Sequence, residues 1–106
     1  LPKGLVDRGE DFLQAANREL QEEIGMGARE LEHLRSMTTA PGYLRHSTHV
    51  ILATGRYPSR LDGDEPEPLE TIAWPLDELD DLLEQPEFTD ARSVAVALLL
   101  QRRLGR

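Results

Sequence analysis

Four glutamates, one arginine and two glycines carry the first chemical signal in this chain. In the run from Gly4 to Met26 the spacing is G-x5-E-x7-R-E-U-x-E-E-x-G-U, where U is a bulky apolar residue, here Leu20 and Met26. The fixed positions are Gly4, Glu10, Arg18, Glu19, Glu22, Glu23 and Gly25. Leu13, Ala16, Leu20 and Ile24 recur at helical spacing, which predicts a helix from about Asp11 to Ile24. Gly25 stands where a left-handed C-terminal cap belongs. Glu19, Glu22 and Glu23 then share one face, at i, i+3 and i+4. Ala15 and Ala16 lie a turn earlier and are small, which is expected to leave that face open to a ligand.

The cluster works against itself as a helix. Three adjacent carboxylates repel one another, and Glu22 and Glu23 occupy the last turn, where the helix dipole disfavours negative charge. Arg18 is the one cation in the cluster. A bound cation resolves the conflict, and clustered carboxylates without soft ligands suit a hard ion, Mg²⁺ or Mn²⁺. Such an ion binds substrate phosphates and makes water more acidic, so the chemistry implied is attack of water on phosphorus.

The spacing resembles the Nudix box, the signature of hydrolases that cut a nucleoside diphosphate linked to another moiety. The resemblance implies that Glu19 and Glu23 are metal ligands, that Glu22 lies beside them and takes a further ion or a catalytic role, that Arg18 orients the glutamates, and that Glu10 supports Arg18. It adds the backbone carbonyl of Lys3 as a ligand. It also implies a downstream glutamate acting as base or extra ligand. The acidic stretch from Asp62 to Pro68 supplies Glu65 as first candidate and Glu67 as second.

Later motifs extend the resemblance. Pro41 lies fifteen residues after Met26. With Thr39-Ala40-Pro41-Gly42-Tyr43, Gly63 to Leu69 and Trp74-Pro75-Leu76, it is similar to the branch of the family that includes ADP-ribose pyrophosphatases and bacterial ADP compounds hydrolases. That branch implies hydrolysis of ADP-ribose, reduced NAD or diadenosine polyphosphates with release of AMP, substrate contacts at Pro41, Tyr43 and Arg8, and a homodimer. The alternative is a Nudix-like module that binds a nucleotide and regulates without cutting it.

The fold class expected is α/β: a Nudix-type mixed sheet sandwiched between helices, one domain over residues 1–106 with the box at 4–26. The chain opens at Leu1, so the strands that such domains place before the box are expected to be missing. Leu31 to Met37 is a weakly patterned strand, and His49 to Gly55 is the clearest one, ended by Tyr57-Pro58-Ser59. Thr71 to Trp74 reads as a short strand stopped by Pro75. Leu76, Leu79, Leu82 and Leu83 suggest a short helix, and Thr89 or Asp90 caps a last helix from Ala91 to about Leu104. His33, His46 and His49 are not spaced as a metal triad.

Composition sets the outer bounds. A chain of 106 residues suits one modest core. A net charge of −8 argues against a nucleic-acid backbone as partner. It leaves Lys3, Arg8, Arg18, Arg45 and Arg56 as the local charges for a polyanionic small molecule. There is no cysteine, hence neither a disulfide nor a thiol nucleophile. No long apolar run crosses a membrane, and a cytoplasmic location is expected.

Overall fold

The computed structural model describes residues 1–43, 46–61 and 71–105. They fall into two compact units, residues 1–71 and 72–106, each with its own organisation.

The first unit is one helix laid on a long two-stranded ribbon. Helix α1, Phe12–Glu23, starts at a reciprocal cap: Asp11 Oδ1 accepts the Gln14 N–H at 2.8 Å, and Gln14 Oε1 accepts the Asp11 N–H at 3.2 Å. It stops at Gly25, whose φ of +77° is left-handed and whose N–H turns back to the Leu20 carbonyl at 3.1 Å. Glycine adopts that conformation without the clash a Cβ would bring. The expected helix and its terminating glycine are therefore both present.

Strands β1, Met26–Thr38, and β2, Ser47–Pro58, pair antiparallel from Met26 opposite Pro58 to Thr38 opposite Ser47. β1 starts five residues before the expected Leu31. Gly27 and Ala28 have little strand propensity of their own, but Gly27 faces Tyr57, whose ring fills the space a side chain at Gly27 would take. Tyr57 and Pro58 do not interrupt β2, as the sequence suggested; they close it. Pro58 is the last residue of the strand, where its missing N–H costs the ladder little.

The ribbon contains one irregularity. His33 pairs with Ile51 and Arg35 with Val50, so Leu34 is an extra residue on β1. His33 and Ser36 consequently oppose Ile51 and His49, two positions apart on β2, and come to the same face. There His33 Nε2 lies 2.9 Å from Ser36 Oγ, which lies 2.7 Å from His49 Nδ1. Phe12, the first residue of α1, packs against both imidazoles, with ring centroids 4.8 and 4.7 Å away. A second tie joins helix to ribbon: Asn17 Oδ1 accepts the Ala28 N–H at 2.9 Å. Among the described residues Ala15, Ala28 and Val50 are the buried apolar side chains of this unit. Ala15 thus does not leave a face open to ligand; it is 4% exposed and lets the helix sit close to the ribbon.

The second unit is helical. A single 3₁₀ turn, Leu76–Glu78, runs into helix α2, Leu79–Leu83, and after a turn into helix α3, Ala91–Arg103. Asp90, rather than Thr89, caps α3: its Oδ2 accepts both the N–H and the hydroxyl of Ser93, at 3.0 and 2.9 Å. Arg102 and Arg103 occupy its last turn, as expected from the dipole. Leu79 and Ala97 are buried, and Gln101 donates to Asp80 Oδ1 at 2.6 Å, tying α3 to α2. The expected strand at Thr71–Trp74 does not form. No partner strand stands beside it among the described residues, and Trp74 instead donates its indole N–H to the Glu78 carbonyl at 2.7 Å. Of the expected mixed sheet, the described residues hold the one antiparallel pair.

Candidate active site

Arg18 is the centre of the acidic cluster. Its Nε donates to Glu10 Oε2 at 2.9 Å and its Nη2 to Glu10 Oε1 at 3.1 Å, a two-pronged grip on one carboxylate. Nη1 donates to Glu19 Oε1 at 2.8 Å and to Glu22 Oε2 at 3.2 Å. Nη2 also reaches the Leu5 carbonyl at 2.7 Å. The side chains of Arg18, Glu10, Glu19 and Glu22 are 21, 17, 15 and 15% exposed. Exposure this low separates the network from an ordinary surface ion pair, which water screens almost to nothing.

The loop before the helix is built to meet it. Asp7 and Glu10 close a small turn: the Glu10 N–H donates to the Asp7 carbonyl at 3.0 Å, and the Asp7 N–H to Glu10 Oε1 at 2.9 Å. The Lys3 N–H donates to Glu23 Oε2 at 3.2 Å. Gly4 lies so near Glu19 that any Cβ there would overlap the Glu19 carboxyl group. The first glycine of the motif is thus required for close approach of backbone to carboxylate.

Two titrations respond to this geometry. The hydrogen bond from Arg18 holds the Glu10 carboxyl below its usual value of 4.5, with the Asp7 N–H adding to the effect. Arg18 moves the other way. Its hydrogen bond to Glu10 raises it above the usual guanidinium range, burial opposes that rise, and Glu19 adds to it.

Most residues singled out in the sequence meet here. Glu10, Arg18, Glu19 and Glu22 form one network, and Glu23 joins the Lys3 backbone. Chemically, these carboxylates and the nearby backbone suit a hard divalent ion. In their arrangement, Glu19 and Glu22 converge on Arg18. Among the described residues no three His, Cys, Asp or Glu side chains gather closely enough to hold an ion. Pro41 and Tyr43 lie in the turn joining the strands, where the Tyr43 N–H donates to the Ala40 carbonyl at 2.8 Å and the Tyr43 side chain is 93% exposed. The length of β1, about 40 Å at 3.3 Å per residue, separates that turn from Met26. They stand at the far end of the ribbon from Met26, and Arg8 is exposed in the loop before α1. Glu65 and Glu67 lie outside the described residues.

Two participants were not foreseen. Asp7 adds a carboxylate 3.5 Å from Arg18 Nε, and its signal was only the turn it makes with Glu10. Arg60, distant in sequence, donates from Nη1 to the Glu22 carbonyl at 3.1 Å. Nothing in the spacing pointed to it.

The NUDIX domain model matches residues 1–103. The chain belongs to the NUDIX family. It is 46% identical over 99 residues to the ADP compounds hydrolase of Escherichia coli (strain K12), covering 93% of this chain and 53% of that protein. It is 31% identical over 103 residues to the ADP-ribose pyrophosphatase of Bacillus subtilis (strain 168), covering 95% and 56%. The same identity and coverage relate it to a methanol dehydrogenase activator of Bacillus methanolicus. A crystal structure of an ADP compounds hydrolase superposes with a TM-score of 0.94 at 45% identity, over 98% of this chain and 56% of that one. The NUDIX chain spans about half the length of the curated relatives it matches. Its helix-and-ribbon unit is therefore part of an α/β Nudix fold.

Proposed function

We propose that this NUDIX chain belongs to a divalent-metal-dependent pyrophosphohydrolase that cleaves ADP-linked compounds and releases AMP. The observation that carries the reading is the Arg18 network. Every polar residue of the box is present, and four of them are joined in one partly buried cluster. The names of the relatives from Escherichia coli and Bacillus subtilis support ADP compounds, ADP-ribose among them; the proposal extends to reduced NAD and diadenosine polyphosphates.

In this reading Glu19, Glu22, Glu23 and the Lys3 carbonyl hold Mg²⁺ or Mn²⁺. The ion would supply neutralisation of pyrophosphate charge and a more acidic water. Arg18 fixes the directions of Glu19 and Glu22, and Glu10 fixes Arg18. Glu65, or else Glu67, takes the proton from the attacking water. Pro41, Tyr43 and Arg8 contact the substrate. The protein works as a homodimer in the cytoplasm on small nucleoside diphosphate derivatives. Among the described residues no helix is long and apolar enough to cross a membrane.

AMP release from ADP-ribose in excess Mg²⁺ tests the reading, with Glu22→Gln and Glu23→Gln as controls. Release that falls by about a thousandfold or more in both variants is expected, given the charge stabilisation these groups provide. A second reading, a nucleotide-binding regulatory module, draws support from the methanol dehydrogenase activator among the relatives. Tight binding of ADP-ribose with no AMP formed, in Mg²⁺ or Mn²⁺, decides for that module. Comparison of ADP-ribose with diadenosine triphosphate then ranks the substrates.

A further inference from the structure

The residues that follow β2 are fastened to the acidic end of α1. The Ser59 N–H donates to the Gly25 carbonyl at 2.9 Å, and the Leu61 N–H to the Gln21 carbonyl at 3.1 Å. Gln21 Nε2 donates to Ser59 Oγ at 2.7 Å. Arg60, between them, donates from Nη1 to the Glu22 carbonyl at 3.1 Å. Its guanidinium also lies against Gly25: a Cβ on that glycine would come within 2.8 Å of both Nε and Nη2. Gly25 therefore answers two demands at once, a left-handed backbone and a flat seat for Arg60.

The location of this contact matters. The last carbonyls of a helix have no partner within it, and the C-terminal end of its dipole is negative. α1 places Glu22 and Glu23 in that same last turn, so the turn carries charge of the sign it tolerates least. Arg18 meets Glu19 and Glu22 through their carboxylates. Arg60 meets the backbone of the turn itself. A lysine could bring the charge, but not a planar group that lies across Gly25 while donating to a carbonyl.

We propose that Arg60 is a positioning residue for the hydrolytic site: it holds the last turn of α1, and with it Glu22 and Glu23, in the geometry the reaction uses. This rests on the hydrolase reading above. Its effect belongs in the rate at saturating metal, not in metal affinity. Removing a nearby cation by itself favours binding of another cation, so affinity mixes two opposed effects, whereas kcat in saturating Mg²⁺ isolates the tether.

The test compares Arg60→Ala, Arg60→Lys and Gly25→Ala in two measurements. Amide hydrogen exchange at Ile24 and Gly25, both of which donate to the Leu20 carbonyl, reports fraying of the turn. It should quicken about two- to fivefold in Arg60→Ala, the scale of a cation lost from a helix end. At saturating Mg²⁺ kcat should fall about tenfold, a modest share of what misplacement by about 1 Å costs, while KM for the ADP compound stays within about twofold. Arg60→Lys should fall between Arg60→Ala and the unaltered protein. Adding Arg60→Ala to Gly25→Ala should lower kcat no further, because Gly25→Ala already unseats the guanidinium. Unchanged kcat in Arg60→Ala overturns the proposal, and so do fully additive losses in the double variant. Absence of turnover in the unaltered protein sinks the hydrolase reading and this role together, and the exchange rates then report the tether on their own.

Discussion

Gly4 and Gly9 lie five positions apart in one loop, and the structure assigns them opposite sensitivities. Gly9 has a φ of +84° with nothing near its missing Cβ. Gly9→Ala therefore meets only backbone strain, about 1–2 kcal/mol for a left-handed L-residue, and should leave the site intact. Gly4 has no left-handed backbone to lose, but a methyl group there would overlap the Glu19 carboxyl. Ordinary van der Waals contact begins at 3.4 Å, so either the loop or the carboxylate must move by roughly 1 Å or more, and Glu19 sits only 2.8 Å from Arg18. The overlapped atoms end a flexible side chain, so the cost in stability sits at the low end for overpacking, about 1 kcal/mol. Displacing a reacting or ligating group by about 1 Å costs up to about a hundredfold in rate. The two variants should thus resemble each other in urea midpoint and separate in AMP release: Gly9→Ala within about threefold of the unaltered protein, Gly4→Ala down by about a hundredfold. Gly4→Ala retaining full activity would refute the idea that this glycine is a seat for Glu19. Equal losses in both variants would show that the loop responds only as a whole.

Three other outcomes follow from named contacts. Saturation with Mg²⁺ or Mn²⁺ at about a hundred times Kd should stabilise the fold by about 2.7 kcal/mol, and Glu23→Gln should remove most of that gain in a thermal scan. Because Glu10 has its pKa depressed by Arg18, its contribution to stability is present above the usual 4.5 and is lost as pH falls through the depressed value; Glu10→Gln should flatten that acid limb in urea titrations run downward from about pH 5. Asp11→Ala removes the acceptor for the Gln14 N–H and should cost about 1 kcal/mol in the same assay, with kcat little changed because the cap is at the far end of α1 from Glu23.

The parts of the fold that were legible in the sequence are those decided locally. The span of α1 followed from apolar spacing, and its end from Gly25, both set within a few residues. α3 was legible for the same reason, with its cap narrowed to Thr89 or Asp90, of which the structure takes Asp90. The start of β1 was not, because Gly27 and Ala28 extend only where Tyr57 and Arg56 stand opposite. The bulge at Leu34 was equally hidden, and with it the meeting of His33, Ser36 and His49 under Phe12, since one inserted residue reverses which side chains share a face. Ala15 looked like open space beside the glutamates, yet a small residue also suits close packing, and the ribbon takes that option. In the site, the pairing of Arg18 with Glu10 came from the motif as a whole. Asp7 and Arg60 lay outside it, and Arg60 reaches Glu22 only because β2 returns the chain to the end of the helix.

Arg60, together with Arg18 and the Lys3 backbone, explains how an unfavourable helix end persists. Glu19, Glu22 and Glu23 crowd one turn of α1 where neither mutual repulsion nor the dipole favours them. Three devices meet them: the Arg18 guanidinium for Glu19 and Glu22, the Lys3 N–H for Glu23, and Arg60 for the carbonyl of Glu22. Both motif glycines serve the same end, Gly4 by admitting the Glu19 carboxyl and Gly25 by admitting the Arg60 guanidinium. Groups kept in a costly arrangement by several independent contacts are characteristic of a working site, because stability alone would replace them. That argument applies to the carboxylates directly. A surface helix under selection only for solubility would spread its charge, and it would have no need of Gly4.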